Sequence, residues 1–152
     1  MKKKINGIWL FGYSGVGKTF ASKIISKKIK NCIVIDGDEV RKYISYDLKY
    51  VKKDRIIQTK RILGFAKICI KQNFFPIIST SFLSKKISNL AKKDNIKIVE
   101  ITRNKSQLFK KIKNQKNVVG IDIFYENFLR KKIYNDGSFK NKINKFLNDL
   151  NF

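Results

Sequence analysis

Eight consecutive residues near the amino end of the chain have the types and spacing of a phosphate-binding loop. They match the pattern G-x-x-x-x-G-K-[ST] and read Gly12, Tyr13, Ser14, Gly15, Val16, Gly17, Lys18 and Thr19. Glycines allow the backbone to turn tightly, so that its N–H groups can converge on phosphate oxygens. Lys18 would reach the β- and γ-phosphates, and the Thr19 hydroxyl would coordinate Mg²⁺. The alternative, a glycine-rich turn that matches by chance, is disfavoured because an apolar run precedes the loop and a helical pattern follows it.

A second cluster, Asp36-Gly37-Asp38, follows the apolar run 32–35. Two carboxylates at the end of a strand suit Mg²⁺ coordination and general-base work on a hydroxyl group. Arg41, one helical turn further on, could bind an anion with two hydrogen bonds. The alternative is that Asp38 is only a helix N-cap and that Arg41 is solvated. Beside a phosphate-binding loop we favour the functional interpretation, with Asp36 as a magnesium ligand.

These clusters must be positioned by the elements around them. Apolar runs of the kind found in buried parallel strands predict strands at 5–11, 32–35, 76–80, 96–101 and 131–134. Helical spacing predicts helices at 18–30, with Phe20 on the apolar face, and at 54–71, 85–93 and 106–113. It also predicts a short helix ending near Tyr43 and a closing helix with Phe139, Ile143, Phe146 and Leu150. The polar stretch 113–117 is expected to be mobile.

Strands that alternate with helices predict an α/β fold, with a five-stranded parallel sheet covered by helices on both faces. The carboxyl ends of parallel strands share one edge of a sheet. We therefore expect Gly12, Asp36 and Thr80 to lie along the same ligand-bearing edge.

The length and composition limit the class of protein. At 152 residues the chain, 1–152, fits a single domain. No apolar run approaches the ~20 residues that cross a membrane. Residues 2–4 resemble the charged start of a signal peptide, but cleavage after the next apolar run would destroy the loop, so no signal is expected. Cys32 and Cys69 are interpreted as buried free thiols in a reducing, cytoplasmic compartment, and a structural zinc site is not expected.

The chain carries 35 Lys and Arg residues against 11 Asp and Glu, a formal net charge of +24. Such a charge can attract a polyanion such as nucleic acid. We favour a lysine-rich composition without a dedicated nucleic-acid surface, because the basic residues are spread from Lys2 to Lys145 rather than gathered in one tract. The charge would still attract an anionic nucleotide.

Taken together, the ordered motifs resemble the adenylyl-sulfate kinase family of P-loop kinases. Besides the loop and D-G-D-x-x-R, the chain has D-L-x-[FY]-x-x-x-D-R at 47–55, S-F-x-S at 81–84 and G-I-D-x-x-Y-E at 120–126. The resemblance spans nearly the whole chain. It implies a three-layer P-loop kinase fold and an enzyme that transfers phosphate from MgATP to the ribose 3′-hydroxyl of adenosine 5′-phosphosulfate.

The same resemblance implies roles for individual residues. Arg41 and Arg55 would bind the anionic group of the acceptor, and Tyr50 would pack against its base. Lys18 and Arg55 would neutralise developing charge, and Asp38 is the expected base. The remaining acceptor-pocket residues would be Asp36, Gln58, Ser81, Phe82, Gly120 and Ile121. Alternatives stay open for Tyr50 and Phe82 as core or rim aromatics, and for Ser84 as a helix cap.

The chain also departs from the family pattern. Gln58 stands where the family has Asn, and Lys60 stands where it has Arg. The lid segment, around 103–119, is shorter, and Val118 and Val119 replace an aromatic residue that stacks on a nucleotide. Whether Lys116 replaces the lid lysine is open. Adenylyl sulfate is the favoured acceptor, and a related nucleotide such as cytidine diphosphoramidate is the alternative.

Two other function classes compete with a small-molecule kinase. A nucleic-acid-binding or nucleic-acid-phosphorylating P-loop protein would fit the charge, and a nucleotide-dependent switch would fit the loop. The switch is disfavoured because no N-K-x-D motif follows a predicted strand. We expect a kinase with an anionic nucleotide as its partner and with no membrane or nucleic-acid partner. A homodimer is a further candidate assembly.

Overall fold

Strands and helices alternate along the chain in the computed structural model, which describes residues 4–108 and 115–150. The strands in these ranges are β1 (Gly7–Phe11), β2 (Cys32–Asp36), β3 (Phe75–Thr80), β4 (Ile96–Thr102) and β5 (Lys131–Tyr134). The helices in the same ranges are α1 (Lys18–Ser26), α2 (Gly37–Tyr43), α3 (Lys52–Lys71), α4 (Lys85–Lys93), α5 (Lys105–Leu108) and α6 (Phe139–Asn148).

The strands form one parallel sheet in the order β2-β3-β1-β4-β5. β1 lies in the middle, paired with β3 on one side and β4 on the other. In this register Phe11 is opposite Thr80, and Asp36 is opposite Ser79. The carboxyl ends of β1, β2 and β3 therefore meet at one edge, as predicted for Gly12, Asp36 and Thr80.

Helices cover both faces of the sheet because its central strand is apolar on both sides. Side chains of a strand alternate between faces. Ile8 and Leu10 pack in a cluster that includes residues of α1 and α6, while Trp9 and Phe11 pack in a second cluster with residues of α3 and α4. The predicted α/β fold with two covered faces is confirmed.

The first helix differs from its prediction in two ways. α1 ends at Ser26 rather than at residue 30. The chain forms a tighter turn there, in which the Lys28 N–H donates to the Ile25 carbonyl at 3.0 Å. Asn31 then takes a left-handed conformation with φ 51°, which asparagine tolerates. Phe20, assigned to the apolar face, does not enter the core and is 51% exposed. The buried positions of α1 are Ala21, Ser22 and Ile25.

Other elements follow their predicted bounds closely, and α4 and β5 match them at both ends. α5 begins at Lys105, one residue before the predicted helix 106–113, and residues 109–114 lie outside the described residues. The end of that helix, part of the predicted lid 103–119 and part of the stretch 113–117 therefore lie there too. Cys69 is buried and Cys32 is half-buried, both as free thiols. Within the described ranges, no helix combines the length and apolar character needed to cross a membrane.

Candidate active site

The phosphate-binding loop joins β1 to α1 and is held tightly against the sheet. Gly15 and Gly17 have φ values of 81° and 105°, a region that favours glycine. Gly12 lies so close to β4 that a Cβ atom there would be 2.3 Å from the Ile101 carbonyl oxygen. The Gly12 N–H donates to the Thr80 carbonyl at 3.2 Å. The glycines of the motif are therefore required by the backbone path itself.

Lys18 begins α1 and turns back over the loop. Its ammonium group donates to the carbonyl oxygens of Gly12 and Tyr13, at 2.8 and 2.9 Å. Burial lowers the pKa of Lys18 to about 8, an effect that the negative charges of Asp38 and Asp36 partly oppose. The Lys18 amine therefore lies against the loop, where it interacts electrostatically with the Asp36 and Asp38 carboxylates.

Asp36 and Asp38 lie where β2 passes into α2. The Asp36 carboxylate accepts a hydrogen bond from the Asp38 N–H at 2.8 Å, so Asp36 is the N-cap of the helix. The alternative that Asp38 is the cap is therefore wrong. Asp38 is exposed, and because Asp36 caps the helix, the Asp38 carboxylate is available to act as a general base.

Arg41 and Arg55 both contact the ring of Tyr50. Their guanidinium carbons are 4.5 and 5.4 Å from the centre of the Tyr50 ring, so both make cation–π contacts. Each arginine is only 9% exposed. Burial lowers the pKa of Arg55, and the charge of Arg41 lowers it further, which indicates two cations held close together. The alternative that Arg41 is merely solvated is wrong.

Carbonyl oxygens fix these two arginines. Arg41 donates to the carbonyls of residues 48 and 49, and Arg55 donates to the Tyr50 and Asn117 carbonyls and to the Ser81 hydroxyl. Within residues 4–108 and 115–150, neither arginine has an ion pair with a carboxylate. Two buried cations with neutral partners form a site suited to an anion.

Gln58 connects this arginine cluster to the start of α2. Its side-chain carbonyl accepts a hydrogen bond from Arg41, and its amide donates to the Gly37 carbonyl at 2.6 Å. Gln58 is buried. It was predicted as a substrate-contacting residue, and in this structure both ends of its amide are bound to the protein.

One cavity of about 890 Å³ joins the loop to the arginine cluster. Most of the predicted site residues line it, namely Ser14, Gly15, Gly17, Lys18, Thr19, Asp36, Asp38, Arg41, Tyr50, Arg55, Gln58, Ser81 and Phe82. Phe82 is also part of a buried cluster with Val119 and Ile123, so its core alternative holds as well. Ser84 caps α4 through the Ile87 N–H, as its alternative predicted.

Four predicted residues do not line this cavity: Gly12, Val16, Gly120 and Ile121. Gly120 has a φ of 96° in a turn closed by its N–H to the Ile123 carbonyl, and Asp122 accepts from the Val118 N–H. The motif at 120–126 thus builds a turn. The wall of the cavity comes instead from the residues before it, Gln115, Lys116, Asn117, Val118 and Val119.

Several residues of this region were missed by sequence reasoning. Asn135, directly after β5, donates to the Val16 carbonyl at 2.7 Å and so holds the loop from the side. The Tyr125 hydroxyl donates to the Ser81 carbonyl at 2.8 Å. Phe20 lines the cavity. The position of Asn135 at the carboxyl end of a predicted strand is the one signal that could have identified it.

The donor set for a metal ion is sparse. Among residues 4–108 and 115–150, no group of three or more His, Cys, Asp or Glu could hold a metal ion by itself. Mg²⁺ at nucleotide sites is commonly held by one or two protein groups together with phosphates and water. Thr19 and Asp36, which line the same cavity, fit that mode.

A five-stranded parallel sheet with helices on both faces and this loop after its central strand defines the P-loop kinase fold. The chain belongs to the adenylylsulphate kinase family, whose family model matches residues 4–134. It is an ATP-dependent kinase that phosphorylates a hydroxyl group, as members of this family are.

Individual relatives support this assignment to the family. A cytidine diphosphoramidate kinase of Campylobacter jejuni is 30% identical over 142 residues, which cover 83% of this chain and 83% of that protein. An adenylyl-sulfate kinase of Clostridium acetobutylicum is 28% identical, with 83% of this chain and 72% of that protein covered. The structure of the Mycobacterium tuberculosis APS kinase CysC with AMPPNP and APS has the same fold, with a TM-score of 0.74, 18% identity and coverage of 95% and 96%.

Proposed function

We propose that this kinase transfers the γ-phosphate of MgATP to the ribose 3′-hydroxyl of a nucleotide with an anionic 5′ group. The observation that carries the proposal is the pair of buried arginines, Arg41 and Arg55, on the same cavity as the phosphate-binding loop. Neither has a carboxylate partner in the described residues. An acceptor anion would supply the missing charge.

The loop would hold the donor. Its backbone N–H groups and Lys18 would bind the phosphates of ATP. Thr19 and Asp36 would hold Mg²⁺, which when bound draws negative charge from the β- and γ-phosphates. Lys18 must leave the carbonyls of Gly12 and Tyr13 to reach a phosphate, and the charge of the nucleotide favours that exchange.

Transfer would be an in-line displacement. The acceptor 3′-oxygen forms a bond to the γ-phosphorus while the bond from this phosphorus to the β–γ bridging oxygen breaks, and ADP leaves. The hydroxyl proton passes to the Asp38 carboxylate and from there to solvent. Lys18 and Arg55 would stabilise the charge that develops on the transferring group. Positioning and electrostatics would supply the catalysis.

Adenylyl sulfate is the acceptor that we place first, because the family match covers both halves of the site. Cytidine diphosphoramidate is the second candidate. It is supported by the Campylobacter jejuni relative and by Val118 and Val119, which line the cavity where the family pattern has an aromatic residue. A lost stacking partner could cost ~1–3 kcal/mol of base binding, enough to change which base is preferred.

A reducing, cytoplasmic setting is part of the proposal. Cys69 is buried and Cys32 half-buried, and both are free thiols. Such thiols persist where glutathione and thioredoxin keep cysteine reduced.

The direct test is a phosphorylation assay with MgATP and three acceptors: adenylyl sulfate, cytidine diphosphoramidate and an oligonucleotide. We expect one of the two nucleotides to be phosphorylated at its 3′-hydroxyl, with Lys18→Ala abolishing turnover. Arg55→Ala should raise the acceptor KM by about tenfold or more, since it removes a charged hydrogen bond, and should leave the ATP KM nearly unchanged. A change confined to the ATP KM would contradict the acceptor site.

A further inference from the structure

We propose that Phe20, supported by Phe139, is the stacking platform for the purine base of the donor nucleotide. The proposal rests on the kinase function above and adds a base-binding residue to it. Phe20 directly follows Thr19, the last residue of the phosphate-binding loop. It is 51% exposed and lines the cavity that joins the loop to the arginine cluster, so its side chain adjoins the ligand space beside the loop.

A second ring holds Phe20 in place. The ring centres of Phe20 and Phe139 are 6.0 Å apart with an interplanar angle of 27°, a stacked pair between α1 and α6. Phe139 is buried. An exposed aromatic ring backed by a buried one is fixed before any ligand arrives, which reduces the entropy lost on binding.

The neighbourhood of Gly17 ties this pair to the loop. A Cβ atom at Gly17 would lie 2.5 Å from the Asn135 amide nitrogen and 3.2 Å from the Phe139 ring. The Asn135 amide also donates to the Val16 carbonyl. The connection between β5 and α6 is thus in direct contact with the loop that binds phosphates.

The order of the strands indicates in which direction the donor nucleotide extends from the loop. β2, which leads to Asp36 and Arg41, lies at one end of the sheet, and β5 lies at the other, with β1 between them. The γ-phosphate must face the acceptor site on the β2 side. The nucleoside of the donor must then leave the loop toward β5 and α6, where Phe20 and Phe139 lie.

Stacking explains which donors the platform would accept. A phenyl ring binds any base through its π face, and a purine offers it more area than a pyrimidine. Adenine and guanine offer similar areas, so this contact discriminates little between them. We therefore expect ATP and GTP to bind more tightly than CTP, with the difference lost when the ring is removed.

The experiment is titration calorimetry of two ligands, ATP and inorganic tripolyphosphate, which has the phosphates without the base. Phe20→Ala should weaken ATP binding about 5-fold to 150-fold, the range for loss of one base–aromatic stack. Binding of tripolyphosphate should stay unchanged. Phe20→Leu, which keeps an apolar side chain without a π face, should also weaken ATP binding, and Phe20→Trp should preserve it.

Phe74→Ala is the matched control, because Phe74 is 41% exposed but precedes β3 at the opposite edge of the sheet from the loop. It should leave ATP binding unchanged. Unaltered ATP binding in Phe20→Ala, or an equal loss of affinity for ATP and tripolyphosphate, would overturn the stacking role of Phe20 but not the proposed kinase function. Failure of the wild-type protein to bind either ligand would overturn the proposed kinase function and the platform together.

Discussion

The Lys18 amine has a pKa lowered to about 8, chiefly by burial. The protonated amine is the form that pairs with phosphate, so a bound nucleotide raises the pKa above its value in the free protein. As the pH rises above 8, the free protein loses this proton and must take it up again to bind. The dissociation constant for ATP should then rise toward tenfold per pH unit until the pKa of the complex is reached.

Equilibrium binding of ATP between about pH 6.5 and 9.5 measures this effect. Lys18→Arg is the control, because a guanidinium stays charged throughout this range although its geometry differs. Weaker but pH-independent binding is expected for that variant. A wild-type dissociation constant that stays flat above pH 8 would contradict the assignment of the loop amine as the titrating group.

Sequence reasoning located the charged residues of the site but not all of their contacts. Arg41 was predicted from the D-G-D-x-x-R motif and Tyr50 and Arg55 from the motif at 47–55, and the structure brings the three together. The bridge that Gln58 makes from Arg41 to Gly37 depends on how α2 and α3 cross. Residue types and spacing carry no information on that crossing.

At the scale of elements, a buried ion pair attaches the last strand region to the sheet. Glu100 in β4 accepts from Arg130, just before β5, at 2.6 Å, and their side chains are 8% and 11% exposed. The Arg130 guanidinium also stacks on Phe128, 4.7 Å from the ring centre, and donates to the Phe128 carbonyl. This pair was missed because its members lie 30 positions apart in the sequence.

Arg130→Met should destabilise the protein by about 3–5 kcal/mol, because it leaves the buried Glu100 without its main partner. Lys132 is 3.9 Å from that carboxylate, but its side chain is exposed and cannot replace the buried contact. Unfolding in urea measures the loss. Lys142→Met, which removes the exposed pair with Asp136, should have a much smaller effect. Equal losses in the two variants would argue against a structural role for the buried pair.

Bounds of elements were predictable where a polar residue stops an apolar run or caps a helix. Ser84 is the N-cap of α4, which begins at the predicted residue, and its hydroxyl accepts from the Ile87 N–H. The end of α1 was not predictable in this way. Residues 27–30 contain neither glycine nor proline, and the turn there depends on Asn31 adopting a left-handed conformation.

At the scale of the whole molecule, the net charge of +24 creates a field that attracts anionic nucleotides. With 35 basic and 11 acidic residues, positive side chains outnumber negative ones by 24. Raising KCl from about 25 to 300 mM should lower kcat/KM for ATP, because added salt shortens the range of the field. Steady-state kinetics at constant Mg²⁺ measures this, with kcat itself changing less.

An assay with an oligonucleotide distinguishes this general electrostatic attraction from the competing function, a P-loop protein that binds or phosphorylates nucleic acid. It should bind weakly, with a steep salt dependence, and should not be phosphorylated. A second salt at equal ionic strength controls for effects of a particular ion. An unchanged kcat/KM across the series would contradict attraction by the field of the protein, and phosphate transfer to the oligonucleotide would favour the nucleic-acid class over a nucleotide kinase.

The architecture was predictable because five apolar runs alternate with helical patterns, and such a pattern permits few topologies. The site was predictable where it follows strand ends, as for the loop and Asp36, and where motifs match the family pattern, as for Arg41, Tyr50 and Arg55. The position of Phe20 on the cavity was not predictable, since an aromatic residue at helical spacing is more often part of the core. Its true position depends on α6, which lies more than 100 residues further along the chain.

β5 lies at one end of the sheet and pairs with β4, leaving its outer backbone edge open among the described residues. An open strand edge can template a strand from another molecule, which is a common route to aggregation. Lys131 and Lys132 are exposed on this strand, while Ile133 is buried. A second sheet edge would have to approach two ammonium groups and desolvate them. The lysine-rich composition thus protects the molecule against edge-to-edge aggregation at this strand.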